Sequence, residues 1–518
     1  MLGLVAALAV VATLGGPGIT IDEPLDVRPG RTYVETLSRR GLGFFDRATV
    51  AQVFADNAEH PPLGRWLLGI ASIVGQPLQI ALHGTDPLGL YVWAGRLAPA
   101  LAFALLVALI SSEGSRRMGR AAGFAAGLGL LLMPRVFAHA HLGALDTFIT
   151  LFWVAALLAA DRALASPRPL AAMTLAGLIL GLALLTKIHA WLLLPLVGVW
   201  AVIQQGPRRG TAAFLAWGGV GFAIFFLGWP WLWYETGPRL LRYLGTGVTR
   251  ATIRVAYLGQ VYDDRAVPWH YPWVYFATTV PVGLHLLGIL GLGDGLRRCR
   301  VDRFPLLLVA AIGGLLLLFS SRVPVYDGER LFLMVFPLWA LLVGRGWAWI
   351  WDRLKGRRIG QGAACLLLAG QAWGIVALHP FQLSYYNALV GGLRGAERLG
   401  LELTYWGDAV DRRLLDTLIT VVPDGGQVAL VPTLYPGQGL ASTTRAMAAR
   451  KLLLGDQETV PQAGWLVVSR RTAYWPEGLA ERLARGRRVA TRERDGVWLA
   501  AIYQVPLGSE TAPVARSP

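Results

Sequence analysis

The fold class predicted by this sequence is a polytopic α-helical membrane protein with a small α/β domain outside the bilayer at its C-terminal end. Three observations predict it. Of the 518 residues, 54% are hydrophobic and only 15% charged, with a mean hydropathy of +0.49; soluble domains carry about 25% charged residues. The apolar residues gather in long runs that end near residue 378. The basic residues, source of the net charge of +16, lie mainly between those runs, as the positive-inside rule requires, and not in a nucleic-acid-binding patch.

An apolar run of about 20 residues crosses a bilayer as a helix. Such runs occupy 2–20, 93–112, 119–137, 143–160, 169–186, 189–205, 211–233, 272–294, 304–320, 329–350 and 360–378, giving about 11 expected spans. With residue 1 inside, the inner loops hold Arg116, Arg117 and Arg120; Arg162 and Arg168; Arg208 and Arg209; Arg297, Arg298, Arg300 and Arg303; and Arg353, Lys355, Arg357 and Arg358. The short outer turns 138–142 and 187–188 carry only Lys187. This asymmetry predicts an inside N-terminus and an outside C-terminus. Segment 66–82, WLLGIASIVGQPLQIAL, is apolar enough to span. Counting it would invert every later loop, so an interfacial or re-entrant helix on the outer face is expected. The first run lacks a basic leader, so a retained helix fits it better than a cleaved signal peptide. Cys299 and Cys365 are too few for a disulfide framework or a zinc site and are read as packing residues. No period of 20–50 residues repeats, which removes solenoids.

Three stretches lie outside the bilayer in this scheme. The first outer loop, 21–65, has helical character at 31–40 and 47–58. An outer loop at 234–271 is rich in aromatics and reads mostly as an interfacial belt. The tail, 379–518, has strand candidates at 427–432, 464–470 and 497–504, helix candidates at 443–453 and 478–487, and a disordered end at 507–518. The expected domains are therefore 1–378 and 379–518.

The first outer loop carries the residues suited to chemistry. ITIDEPLD places Asp22 and Glu23 directly after the first span, and AEHPPLGRW (58–66) closes the loop. Singly, each has a structural reading, an acidic turn and a proline-made helix start. Together at a membrane surface they favour function, because a partly desolvated carboxylate can be tuned as a general base. Lys187, alone at the tip of an apolar hairpin, either snorkels or serves a site. Asp146 with His139 and His141 invites a metal reading beside that of polar residues at an interface.

The Asp-Glu pair after the first span, followed by HPPLGR (60–65) before an interfacial helix, resembles the GT-C glycosyltransferases over about residues 1–378. The nearest branches are the protein O-mannosyltransferases and the lipid A aminoarabinose transferases. This chain departs from the mannosyltransferase pattern in having Arg65 where Lys is usual and Glu59 before the histidine. The resemblance implies a catalytic first outer loop and an inverting transfer of a sugar from a polyprenyl-phosphate carrier. The acceptor would be a hydroxyl of a protein Ser or Thr, a glycan or a lipid, at the outer face of a bacterial cytoplasmic membrane. It implies Asp22 as the base with Glu23 beside it. Glu23 and Glu59 would orient the acceptor, hold Asp22 or bind a divalent ion, and His60 would hydrogen-bond them. Arg65, Lys187 and Arg330 would meet the lipid phosphate. No cofactor is certain, a divalent metal ion being the one candidate. Membrane lipids are expected partners and nucleic acid is not.

Two other readings compete. A lipid-linked sugar transporter or flippase calls for intramembrane charge and repeat-related broken helices, whereas the notable charges here sit at outer helix ends. A non-catalytic scaffold displaying the tail would tolerate replacement of Asp22, Glu59 and Arg65.

Overall fold

The computed structural model describes the chain apart from residues 56–58, 87, 250, 434–437, 453, 457–459, 461–462 and 507–518. The end expected to be disordered, and the last residues of the helix expected at 47–58, lie outside the described residues. Each apolar run is helical for at least part of its length, but the helices differ in reach. Val92–Met118, Asp146–Leu164, Ile188–Gln205, Pro207–Gly228 and Arg358–Leu378 are long and apolar enough to cross a membrane. Leu2–Thr13, Arg120–Leu131, Pro169–Leu184 and Phe304–Phe319 are apolar but shorter. Val335–Arg353 packs against Val282–Arg297 and carries a buried Arg345, neutralised by Asp294 at 2.9 Å and Asp302 at 2.8 Å.

Glycine and proline explain where the helices depart from the apolar runs. The first helix stops at Thr13 because Gly15, Gly16, Pro17 and Gly18 follow. The expected span 119–137 breaks ahead of Pro134. The run 272–294 is not one straight span: Tyr271–Thr279 and Val282–Arg297 diverge by 110° across Val280 and Pro281. Segment 66–82 is likewise two helices, Leu63–Val74 and Gln76–His83, bent by 56° at Gly75 with Pro77 starting the second.

The first outer loop is more helical than its pattern suggested. A helix runs through Asp22–Arg40, beginning at Asp22 itself, with both acidic residues in the first turn where the helix dipole favours them. It lies directly on Leu63–Val74. A Cβ on Gly30 would come within 2.1 Å of the Arg65 carbonyl, and one on Gly69 within 2.1 Å of the Gly30 carbonyl. Two glycines thus bring the backbones into contact and fix where Asp22, Asp26 and Arg65 stand.

The tail contains a five-stranded mixed sheet in the order Leu454–Gly455, Val428–Val431, Trp465–Ser469, Val497–Gln504, Arg487–Arg494. Its first two pairings are parallel and its last two antiparallel. Strand alternation, offset by the irregularity at Leu499, divides its buried residues. Val428, Leu430, Val467, Leu499 and Ile502 join the core shared with the membrane helices. Ala429, Val431, Leu466, Val468 and Tyr503 form a separate core with Leu479 and Leu483. One face of the sheet is therefore packed toward the membrane part, which brings the tail's connecting loops to the helix ends near Asp327 and Arg330.

Candidate active site

Four separate segments deliver charge to one place at one end of the helices. Asp22 opens the first-loop helix, and Asp146 opens the helix Asp146–Leu164. Lys187 follows Pro169–Leu184 in extended backbone. Arg330 begins the turn Arg330–Phe332 after Asp327 and Gly328, both of which have positive φ, 56° and 64°. That left-handed pair reverses the chain so that Asp327 and Arg330 face each other.

The Arg330 guanidinium binds three carboxylates. It donates to Asp22, to Asp146 Oδ2 at 3.1 Å and to Asp327 Oδ2 at 3.1 Å. Lys187 Nζ donates to the other oxygen of Asp146 at 2.7 Å. The Trp406 ring from the tail covers Arg330 at 4.3 Å. Arg471, also from the tail, donates to Asp327 Oδ1 at 2.8 Å and to the Tyr405 carbonyl. The charges alternate in sign through the cluster, so each buried ion has a partner, as burial demands.

Of the residues expected at a site, Asp22, Lys187 and Arg330 are brought together. His60 stands close by. Burial first, then the nearby Lys187, Arg65 and Arg330, holds its imidazole well below the usual histidine range, so it is neutral. Glu59 is exposed and outside the cluster.

Glu23 and Arg65 do not have the positions expected of substrate-contacting groups. Glu23 is fully buried, and both its oxygens are occupied. Oε1 accepts from Arg96 Nε at 2.6 Å and Gly143 N at 2.8 Å, and Oε2 from Arg96 Nη2 at 2.7 Å and Thr20 N at 2.8 Å. This arrangement ties the first-loop turn to the second membrane helix and leaves no lone pair facing outward. Arg65 is likewise fully buried and paired with Asp26 at 2.9 Å, beneath the Asp22–Arg40 helix. Burial pushes the Asp26 carboxyl up to about 6 even against the opposing pull of Arg65.

The metal reading of Asp146, His139 and His141 meets a different arrangement. Asp146 is taken by Lys187 and Arg330. His139 lies edge-on to Trp406 and 3.7 Å from Glu329. His141 bonds the Thr13 hydroxyl and the Phe137 carbonyl. Among the described residues no group of three or more His, Cys, Asp or Glu is placed to hold a metal ion.

Sequence reasoning missed Asp26, Asp327, Arg471 and Glu402. Asp327 had a signal, three residues before Arg330 in VYDGER. Arg471 had none, because only the tail's docking carries it there. Glu402 lies 3.9 Å from Arg471, and burial pushes its carboxyl up to about 8, making it a neutral acid at pH 7.

A second charge cluster marks the opposite side. Arg96 and Glu113 share the span Val92–Met118 and are separated by about 25 Å at 1.5 Å per residue. Glu113 is buried among Arg116, Arg117 and Arg162, while Arg96 holds Glu23 beside the first cluster.

Comparisons with known proteins agree with this architecture. Residues 59–234 match the family model described as dolichyl-phosphate-mannose-protein mannosyltransferase. The crystal structure of ArnT from Cupriavidus metallidurans in the apo state is similar over 97% of this chain and 97% of its own, with a TM-score of 0.54 and 17% identity. The same protein bound to undecaprenyl phosphate gives a TM-score of 0.46 at 16% identity, again over 97% of each chain. The oligosaccharyltransferase AglB from Archaeoglobus fulgidus, in complex with an inhibitory peptide and a dolichol-phosphate, gives 0.47 at 13% identity over 99% of this chain and 74% of that one. No curated protein matches the sequence.

Proposed function

We propose that this chain, whose fold is that of the GT-C superfamily, is an inverting membrane glycosyltransferase. It moves a sugar from a polyprenyl-phosphate carrier to a hydroxyl acceptor at the outer face of a bacterial cytoplasmic membrane. The observation that carries this reading is the joining of a partly exposed carboxylate, Asp22, to Arg330 and, through Asp146, to a second cation, Lys187. The donor class rests also on the matched family, whose own description names a dolichyl-phosphate sugar. The arginine-rich inner cluster around Glu113 supports the orientation.

The chemistry balances with these groups alone. Asp22 removes the proton of the acceptor hydroxyl, whose oxygen attacks the anomeric carbon from the side opposite the phosphate. The bond from that carbon to the phosphate oxygen breaks, and its electron pair leaves on the lipid phosphate. Arg330 and Lys187 meet that growing negative charge, a contribution of several kcal/mol in a site shielded from water; general-base assistance adds roughly 10²–10⁴ in rate. Glu23 and Arg65 act through position, fixing the turn that presents Asp22. The acceptor is a hydroxyl of a protein, glycan or lipid.

Incubating membranes with several radiolabelled polyprenyl-phosphate sugars tests the reading. Label moving into a protein, glycan or lipid fraction with wild type and not with Lys187→Met or Arg330→Met supports it. Transfer that survives in both variants contradicts it.

A further inference from the structure

In the state described here the two cations assigned to the donor phosphate are already neutralised. Arg330 and Lys187, with Arg471 beyond them, face Asp22, Asp146 and Asp327: three positive groups against three negative ones. A lipid phosphate entering this cluster adds an anion with no free partner. One carboxylate must yield, and the three differ in what yielding costs. The Asp146 and Asp327 side chains are 2% and 4% exposed, and each also pairs with a second cation, Lys187 or Arg471. Burial and that second pair hold each of them in place, so neither can swing off Arg330 toward water. The Asp22 side chain is 22% exposed, pairs with Arg330 and sits in the first turn of its own helix, where it retains the helix dipole.

We propose that Asp22 occupies the phosphate's place on Arg330 and that the donor displaces it, so that donor binding itself releases the base. This deepens, and rests on, the glycosyltransferase reading above. A guanidinium takes phosphate oxygens in the same forked geometry as a carboxylate, so the exchange replaces one charge-assisted pair with another. While Arg330 donates to Asp22, that carboxylate oxygen is engaged, and displacement frees it to accept the hydroxyl proton. The acceptor hydroxyl is therefore activated only when a sugar phosphate is already seated, and the free enzyme holds no unpaired base. Donor binds before acceptor.

The consequence is that removing the base strengthens donor binding. With the purified full-length chain in lipid nanodiscs and undecaprenyl phosphate as the probe, Asp22→Asn and Asp22→Ala are each expected to bind about tenfold more tightly than wild type, the change produced by losing one competing ion pair. Glu35→Gln, on the exposed part of the same helix and paired only with Arg31 and Arg39, is expected to bind as wild type does. Equal or weaker binding by both Asp22 variants, beside a wild type that binds, overturns the displacement. Equal tightening in Glu35→Gln reduces the effect to net charge and overturns it too. A wild type that binds no lipid phosphate overturns the reading on which the displacement rests.

Discussion

Arg471 Nη2 donates to Asp327 Oδ1 at 2.8 Å, and the other oxygen of Asp327 accepts from Arg330 Nη1 at 3.1 Å. A residue of the tail, beyond its central strand, thus reaches into the charge cluster that joins Asp22, Asp146, Lys187 and Arg330. The tail completes that cluster: Arg471 holds Asp327, Asp327 orients Arg330, and Trp406 covers the guanidinium face.

This relay makes Arg471 a positioning residue. Arg471→Ala is expected to raise the KM for the lipid donor about tenfold with a smaller change in kcat, and Arg471→Lys to restore part of the loss. Arg470→Ala, which removes the outlying pair with Glu397 and the contacts to Trp498, should leave both constants unchanged. Steady-state kinetics with varied donor separate these outcomes.

Glu23 and Asp22 are neighbours with opposite expected phenotypes. Glu23 is buried against Arg96, and breaking such a pair from one side costs about 3–5 kcal/mol. Glu23→Gln should therefore lower the melting temperature and expression, whereas Asp22→Asn keeps the melting temperature and loses transfer. Thermal unfolding of the two purified variants checks this.

Stability should fall as pH rises above about 7, where histidines held neutral in the fold, such as His60, are neutral in the unfolded chain too. Burial pushes Asp26 and Asp408 up to about 6 and Glu402 up to about 8. The folded chain thus keeps protons that the unfolded chain has already lost. What these groups contribute is full below about pH 4 and is lost as pH rises through about 6 and then about 8, at most about 1.4 kcal/mol per pH unit for each proton of difference. Melting temperatures between pH 7 and 8.5 should show the decline, and Glu402→Gln should flatten it.

Dialysis against EDTA is expected to leave transfer within about twofold of the untreated protein, because the proposed mechanism meets the phosphate charge with Arg330 and Lys187. Residual activity, with and without added Mg²⁺ or Mn²⁺, measures it.

The membrane part was legible because its signal is composition: apolar runs locate helices wherever glycine and proline do not interrupt them. The interruptions were harder to read. The bend at Pro281 and the stop after Thr13 lie within runs that look continuous by hydropathy. At the site, Asp22, Lys187 and Arg330 stood out as charges at the edges of apolar segments. The fates of Glu23 and Arg65 did not, because whether a charge faces substrate or a buried partner depends on Arg96 and Asp26, both distant from them in sequence. In the tail, alternation marked Val428–Val431, Trp465–Ser469 and Val497–Gln504. The edge strand Arg487–Arg494 is too rich in arginine to show that pattern. Nothing local indicated that Arg471 would dock on Asp327.

Sugar transfer from radiolabelled polyprenyl-phosphate donors, comparing wild type with Asp22→Asn in membranes at matched expression, tests the assignment of the base most directly. Label should reach a protein, glycan or lipid fraction with wild type alone, even though the variant folds. Equal transfer by the two proteins would contradict the assignment of Asp22 as the base.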